Sequence, residues 1–215
     1  MSGSMILLLK YGVLLFSLFS FAALTIQVLR TFSFGKLPLY SQKQGDSKKG
    51  IVYAMGKGMM PWEKESAAKH LPTYTAGMLY HTGIFAAFFH VLLLSLSIPL
   101  PLWAIHGLQV FMAAGSICGT GLLFKRLLKP HMKSISCPDD FISNLLVDGL
   151  ILLALFQTFA AAILPILFIW TIIVLLYIPI GKIRHCFFFF YSRILFGSYF
   201  GRRGVFPQNQ RSFKG

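Results

Sequence analysis

The sequence predicts an all-α integral membrane protein, a bundle of five transmembrane helices with its N-terminus outside and its C-terminus in the cytoplasm. Of its 215 residues, 56% are apolar and only 12% are charged, with a mean hydropathy of +0.70. An ordinary soluble domain is about 25% charged. Two further observations predict this topology: the chain has five apolar stretches, and its basic residues are unevenly distributed between them.

Five segments are long enough to cross the hydrocarbon core, which takes roughly 20 apolar residues in a helix. The first is expected to be retained, because its apolar stretch exceeds the core of about 7–15 residues found in a cleaved signal peptide. Pro165 marks the turn between the last two, since proline is tolerated in the first turn of a helix but not in its interior. The predicted spans cover 11–29, 75–98, 101–124, 141–161 and 164–185.

The charges determine the predicted orientation. The chain has 20 Lys and Arg against 6 Asp and Glu, a net charge of +14, and 19 of the basic residues lie in the first connection, the third connection and the tail. Because basic connections face the cytoplasm, we expect a multi-pass protein of the inner membrane and no nucleic-acid partner. Residues 1–193 would form one transmembrane domain with a cytoplasmic loop at about 30–74, followed by a basic tail over 194–215.

No sequence motif for substrate chemistry is present. The three cysteines lack metal-site or disulfide spacing, and neither a phosphate-binding glycine loop nor a Ser/His/Asp constellation is found. We therefore predict no catalytic residue in this chain. Small residues on the third span are expected to permit close helix packing: Gly115, Gly119 and Gly121.

Ionisable residues inside the spans are functional candidates, because each is costly in a bilayer. The predicted topology places His81 and His185 at similar depths on the cytoplasmic side. Two such imidazoles on facing helices suit the axial positions of a haem b iron. Alternatively, both hydrogen-bond to lipid headgroups. Four cations at the same boundary would pair with the haem propionates: Lys125, Arg126, Lys182 and Arg184.

Three further candidates lie deeper in the predicted spans. His90 and His106 fall at similar depths on the outer side, where they could bind a quinol and accept its protons, hold a second haem, or hydrogen-bond to helix carbonyls. Asp148 is the only acid well inside a span. It could serve as a proton relay, support a ligand histidine, or bond a neighbouring asparagine or backbone group.

Three motifs resemble those of a known family. They are the segment from Leu79 to His90, the segment Gly121–Leu128 with the acidic pair that follows it, and the segment from Gly181 to His185 with its aromatic run. In this order they are similar to helices two to five of the cytochrome b (gamma) subunit of respiratory nitrate reductases. Related membrane subunits of heterodisulfide and dissimilatory sulfite reductases share the pattern.

The resemblance covers about residues 79–193 and implies that His81 and His185 ligate the cytoplasm-proximal haem. Members with two haems have a second histidine about ten residues after the first, with its partner upstream on helix five. Here His90 follows after nine residues and 164–181 contains no histidine. We expect one haem b and leave a second open.

The combined prediction is a haem b-containing membrane anchor subunit of an oxidoreductase complex. It would transfer electrons between the quinone pool and a cytoplasmic iron–sulfur or catalytic subunit, as one component of a hetero-oligomer rather than an enzyme alone. Anionic lipids would face its basic connections. The alternatives are a haem-free structural anchor that recruits a cytoplasmic enzyme, and a small-solute transporter, against which no inverted repeat is found.

Overall fold

The protein is all-helical. A computed structural model describes residues 3–35, 40 and 42–206, and this part of the chain contains no strand. Short 3₁₀ turns at Lys57–Met59, Pro61–Glu63, Ala161–Ile163 and Lys182–Arg184 connect several of the α-helices. The α-helices are α1 (Gly3–Ser33), α2 (Ser47–Met55), α3 (Glu65–Lys69), α4 (Leu71–Leu96), α5 (Leu102–Leu128), α6 (Pro130–Ser134), α7 (Pro138–Gln157), α8 (Leu164–Tyr177) and α9 (His185–Arg202).

Several helices are long and apolar enough to cross a membrane. Among the described residues, α1, α4 and α5 meet this requirement singly, and a fourth span results if Ala161–Tyr177 and Lys182–Arg202 are counted together as one broken span. The first three predicted spans match these helices, and α7 covers most of the fourth. The total of five spans and the outward N-terminus remain predictions.

The fifth predicted span is wrong as a continuous helix. Helix α8 ends at Tyr177 after 14 residues, and α9 begins only at His185. Pro179 lies in the break, where it cannot donate the backbone hydrogen bond that a continuing helix needs. The Tyr177 ring covers Gly181 so closely that a Cβ there would overlap it. The prediction missed this break because residues 164–185 form a nearly continuous apolar run.

The chain divides into two compact units, of which the first comprises Met1–Ala23 and Pro72–Ile183. Its interior consists of apolar side chains from α4, α5, α7 and α8. The largest fully buried ones are Phe168, Met112, Leu150, Ile151 and Leu167. Helix α1 is joined to α8 by the Ser20 hydroxyl, which donates to the Leu175 carbonyl.

Glycine brings α4 and α5 into backbone contact in the first unit. A Cβ added to Gly83 would lie 2.7 Å from the Gly115 Cα, closer than two carbon atoms can pack. The predicted close approach at Gly115 is therefore confirmed. Gly119 also faces a crowded neighbour, but a Cβ at Gly121 would meet nothing within 4 Å, so the packing predicted for Gly121 is wrong.

The second unit comprises Leu24–Leu71 and Arg184–Gly215, and in its described residues α2 packs against α9. Gly197 and Gly201 are four residues apart and form a Gly-x-x-x-Gly face on α9. A Cβ on Gly201 would lie 2.7 Å from the Gly50 Cα. Small residues at this spacing let two helix backbones touch. The Arg202 carbonyl also accepts the Gln44 and Gly45 amides at 2.9 and 2.8 Å.

Candidate functional site

His81 lies on an exposed side of α4, and a backbone bond fixes its tautomer. Its Nδ1 is 2.7 Å from the Gly77 carbonyl oxygen one turn earlier. A carbonyl can only accept, so Nδ1 carries the proton and Nε2 carries the ring lone pair. Histidines that bind metals commonly have their other ring nitrogen oriented in this way. The chemistry and orientation of His81 therefore fit an axial ligand of a haem iron.

His185 is the first residue of α9 and is also exposed. The break between α8 and α9 positions it, together with the 3₁₀ turn over Lys182–Arg184. His81 belongs to the first compact unit and His185 to the second. Their pairing around one iron remains a prediction.

Three of the predicted propionate-binding cations already contact protein groups. Arg126 Nη1 lies 3.1 Å and Lys182 Nζ 2.8 Å from the Asp140 Oδ1 atom. Lys125 Nζ donates to the Thr73 hydroxyl at 2.6 Å. Arg184 is exposed immediately before His185. A haem propionate bound here would share Arg126 and Lys182 with Asp140, and Lys125 with Thr73.

The N-terminal end of α7 carries an ionic group that we call the aspartate network, formed by Arg126, Asp139, Asp140, Tyr177 and Lys182. Asp140 accepts the Cys137 amide at 2.9 Å in addition to its two cations. The Lys182 ammonium, the Cys137 amide and Arg126 lower the pKa of Asp140 to about 2. Asp139 accepts the Tyr177 hydroxyl and, at 2.9 Å, the Lys182 amide. The network thus joins α5, α7 and the chain after α8.

The middle of α7 carries a central polar cluster of Tyr80, Asn144 and Asp148. The Asn144 amide donates to the Tyr80 hydroxyl at 3.1 Å and to Asp148 Oδ2 at 2.8 Å. Asp148 is only 6% exposed, and its Oδ1 atom is buried without a hydrogen-bond partner. Gly119 on α5 leaves space for this carboxyl, since a Cβ there would overlap both Oδ1 and the Tyr80 ring. Asp148 therefore has the asparagine partner that was the simplest expectation.

The C-terminal end of α7 carries a histidine–glutamine cluster, formed by His90, His106, Gln109, Gln157 and Thr158. His90 is 5% exposed, with Nε2 2.7 Å from Gln157 Oε1. His106 Nδ1 lies 3.0 Å from Gln109 Oε1, and the Gln109 amide donates to the Thr158 hydroxyl at 2.9 Å. Gln157 and Thr158 are consecutive, so the structure brings both predicted histidines to one end of α7.

The hydrogen bonds of this cluster determine which ring nitrogens of His90 and His106 can accept a proton. The Gln109 amide nitrogen faces Thr158, so its oxygen faces His106, and His106 must donate from Nδ1. The lone pair of the exposed His106 ring therefore lies on Nε2. His90 donates from Nε2 because the Gln157 Oε1 atom beside it can only accept, and its Nδ1 is a buried acceptor without a hydrogen-bond partner.

Sequence reasoning expected an asparagine beside Asp148 but missed the two glutamines that organise the histidine–glutamine cluster. Asn144, Gln109 and Gln157 are the only Asn and Gln residues within the second to fifth predicted spans. The argument applied to the histidines also applies to them, because polar side chains in apolar helices are found bonded to neighbouring helices. A survey of amides as well as ionisable residues would have identified all three.

No match to this chain was found among protein-family models, curated proteins or solved structures. Among the described residues, no group of three or more His, Cys, Asp or Glu side chains is arranged to hold a metal ion. The resemblance to the nitrate reductase cytochrome b subunit thus remains an expectation from sequence motifs.

Proposed function

We propose that this chain is a haem b-containing membrane anchor subunit of an oxidoreductase complex, exchanging electrons between quinone or quinol and a cytoplasmic iron–sulfur partner. The observation that carries the proposal is the His81 imidazole, whose Nδ1 bond to the Gly77 carbonyl places the ring lone pair on Nε2. His81 and His185 would hold the iron, and Arg184 with the cations near Asp140 would face the propionates. The haem would supply one-electron transfer.

A reduced-minus-oxidised visible spectrum of the purified full chain, with haem counted per polypeptide, tests this function. We expect b-type absorption from one haem, and its complete loss in His81→Ala and in His185→Ala. His131→Ala is the matched control, because His131 is exposed on the short helix α6. Absence of b-type absorption from assembled wild-type protein would overturn the proposal.

The histidine–glutamine cluster is the proposed quinol site. Oxidation of a quinol releases protons together with electrons, and His106 Nε2 is an exposed acceptor for a hydroxyl proton. Gln109 and Thr158 hold the ring in the tautomer that leaves this nitrogen unprotonated. His90 and Gln157 form the buried side of the same end of α7. A second haem between His90 and His106 would compete for these nitrogens.

The rate of haem reduction by quinol distinguishes a His106 that binds quinol from a His106 that ligates a second haem. Loss of a positioned base costs on the order of 100-fold in rate, so we expect His106→Ala to retain the haem spectrum and to slow haem reduction by a soluble quinol by about that factor. Gln109→Leu should act in the same direction. A haem count that falls from two to one in His106→Ala would instead assign the histidine to a second haem.

The second unit is the proposed site for partners. Its described residues include eleven Lys and Arg against three Asp and Glu, and Arg203 stacks 3.9 Å from the Tyr199 ring centroid. We propose that this surface meets the iron–sulfur or catalytic subunit and adjacent anionic lipids, which makes the chain part of a hetero-oligomer. Copurification from the source membrane with wild-type protein but not with a variant of the exposed arginine, Arg203→Glu, would support this assignment.

A haem-free structural anchor is the second candidate. It is favoured by the engagement of Arg126 and Lys182 with Asp140, which gives both cations a purely structural use. An assembled complex that retains its cytoplasmic subunit and lacks b-type absorption would establish it.

A further inference from the structure

Polar side chains form two parallel rows along α7. Asp140, Asn144 and Asp148 recur every four residues, and Asp139 and Ser143 form a second row beside them. Residues four apart lie on the same face of a helix. At a rise of about 1.5 Å per residue, the distance from Asp139 to Asp148 along the helix axis is about 13 Å. The rows therefore lead from one end of α7 into the apolar interior of the first unit.

Hydrogen bonds connect most of these side chains. At the N-terminal end, the Tyr177 hydroxyl donates to Asp139 and lies 3.3 Å from the Ser143 hydroxyl. In the next turn, the Asn144 amide donates to both the Tyr80 hydroxyl and Asp148, and the Tyr80 hydroxyl itself lies within hydrogen-bonding reach of the Asp148 carboxyl. One step separates the two sets, from the Ser143 hydroxyl to the Tyr80 hydroxyl. The hydroxyl groups of Tyr177, Ser143 and Tyr80 can both donate and accept, as a proton path requires.

Asp148 ends the path without a countercharge. Among the described residues, no Lys, Arg or His forms an ion pair with it, and its Oδ1 is buried and unpaired. The helices around it contribute the Tyr80 hydroxyl from α4 and Gly119 from α5. On α8, Trp170 packs against the adjacent Gly149. An unpaired carboxylate in such surroundings is far less stable than the neutral acid.

We propose that Asp148 is a proton-binding site that exchanges its proton with solvent along α7, through Tyr80, Ser143 and Tyr177, by way of the aspartate network. Asp148 holds one proton on its carboxyl group, and a transient water completes the step between Ser143 and the Tyr80 hydroxyl. This function does not rest on the haem or quinol assignments. It provides a proton store in the apolar interior, reached from the end of the bundle opposite the histidine–glutamine cluster.

Infrared spectroscopy of the full chain in lipid nanodiscs tests the site directly. A protonated carboxyl group has a C=O stretch separate from the carboxylate and amide bands. We expect one such band in the wild type at neutral pH, shifted in D₂O and lost in Asp148→Asn. Absence of the band from the wild type, or its persistence in Asp148→Asn, would overturn the proposal.

The rate of the D₂O shift tests the path. We expect exchange to slow about tenfold in Tyr80→Phe, Ser143→Ala and Tyr177→Phe, the rate effect of one lost hydrogen-bonding step. Ser116→Ala is the matched control, because this buried hydroxyl bonds the Ala113 carbonyl of its own helix and lies outside the proposed path. Unchanged exchange in all three path variants, or equal slowing in Ser116→Ala, would overturn the path. The readout needs no haem, so it is independent of the proposed electron transfer.

Discussion

The two ends of α7 use polar side chains in opposite ways. At the N-terminal end, charged groups pair with each other: Asp140 lies within 3.1 Å of both Arg126 and Lys182. At the C-terminal end the bonds join imidazoles, amides and a hydroxyl, and they leave acceptor nitrogens on His90 and His106. Fully paired charges hold helices together, whereas an acceptor with a spare lone pair can bind a ligand or a proton. The N-terminal end therefore joins α5, α7 and the chain after α8, whereas the C-terminal end keeps two acceptor nitrogens.

Between these ends lies Asp148, which shares features of both. It is an acid like those of the aspartate network, yet in the described part of the chain its side-chain bonds are to neutral groups. Its position explains why Gly119 is needed, because the carboxyl and the Tyr80 ring occupy the space where a Cβ would lie. The central cluster is therefore the place where substitution should disturb the first unit most.

The largest expected effect comes from filling the space at Gly119. Gly119→Val would overpack the contact between α4, α5 and α7. We expect a cost of about 3 kcal/mol, the upper end of the usual range, because the Cβ alone already overlaps both the Asp148 carboxyl and the Tyr80 ring. Thermal unfolding in detergent, followed by circular dichroism, measures the loss. Gly121→Ala on the same helix is the control. The added Cβ would meet nothing within 4 Å, and the substitution should raise the free energy of unfolding by about 0.5–1 kcal/mol. Equal effects of the two substitutions would contradict the assigned packing.

Removing an amide at the C-terminal end should have an intermediate effect. Gln157→Leu leaves the buried His90 Nε2 donor without its partner, a loss of about 1–3 kcal/mol. Gln109→Leu should cost less, because the His106 ring that it releases is exposed and can bond to water. Unfolding measurements on both variants rank the two effects. A larger loss for Gln109→Leu would show that the cluster is held by Thr158 rather than by His90.

The smallest effect on stability is expected at the aspartate network, because its ion pairs are partly exposed. The pKa of Asp140 is lowered from its ordinary value of 3.8 to about 2. The corresponding stabilisation is complete above the unfolded-state pKa and is lost as the pH falls from about 4 toward 2. We expect Asp140→Asn to destabilise the first unit by at most about 1 kcal/mol at neutral pH. The variant should also remove part of the acid sensitivity seen in unfolding between these pH values. Wild-type acid sensitivity in the variant would exclude Asp140 as its source.

Much of the fold was predictable because membrane helices have a strong compositional signal. Helices α1, α4 and α5 appear where long apolar stretches were found. The break after Tyr177 was missed, although Pro179 and Gly181 mark it in the sequence, because the apolar run continues through both residues. The packing of α2 on α9 was also missed. Gly197 and Gly201 show the spacing, but their partner Gly50 lies far away in the chain.

The residues of the candidate sites were also predictable only in part. His81, His90, His106, His185 and Asp148 were identifiable individually, since ionisable groups are rare in apolar segments. Their partners were not, because a hydrogen bond between helices depends on how each helix is rotated about its axis. The exceptions lie one turn away in the same helix: the Gly77 carbonyl beside His81, Gln109 beside His106 and Asn144 beside Asp148.

By itself, the sequence determined the helical class, the apolar segments and the few polar side chains within them, because these follow from the cost of placing polar groups in hydrocarbon. The tertiary structure decided which of those side chains meet. It placed the aspartates of α7 against Arg126 and Lys182, gave Asp148 the neutral partners Asn144 and Tyr80, and brought His90 and His106 to one end of a helix. Helix rotation and close approach at glycines select these partners, and neither is encoded in composition or spacing alone.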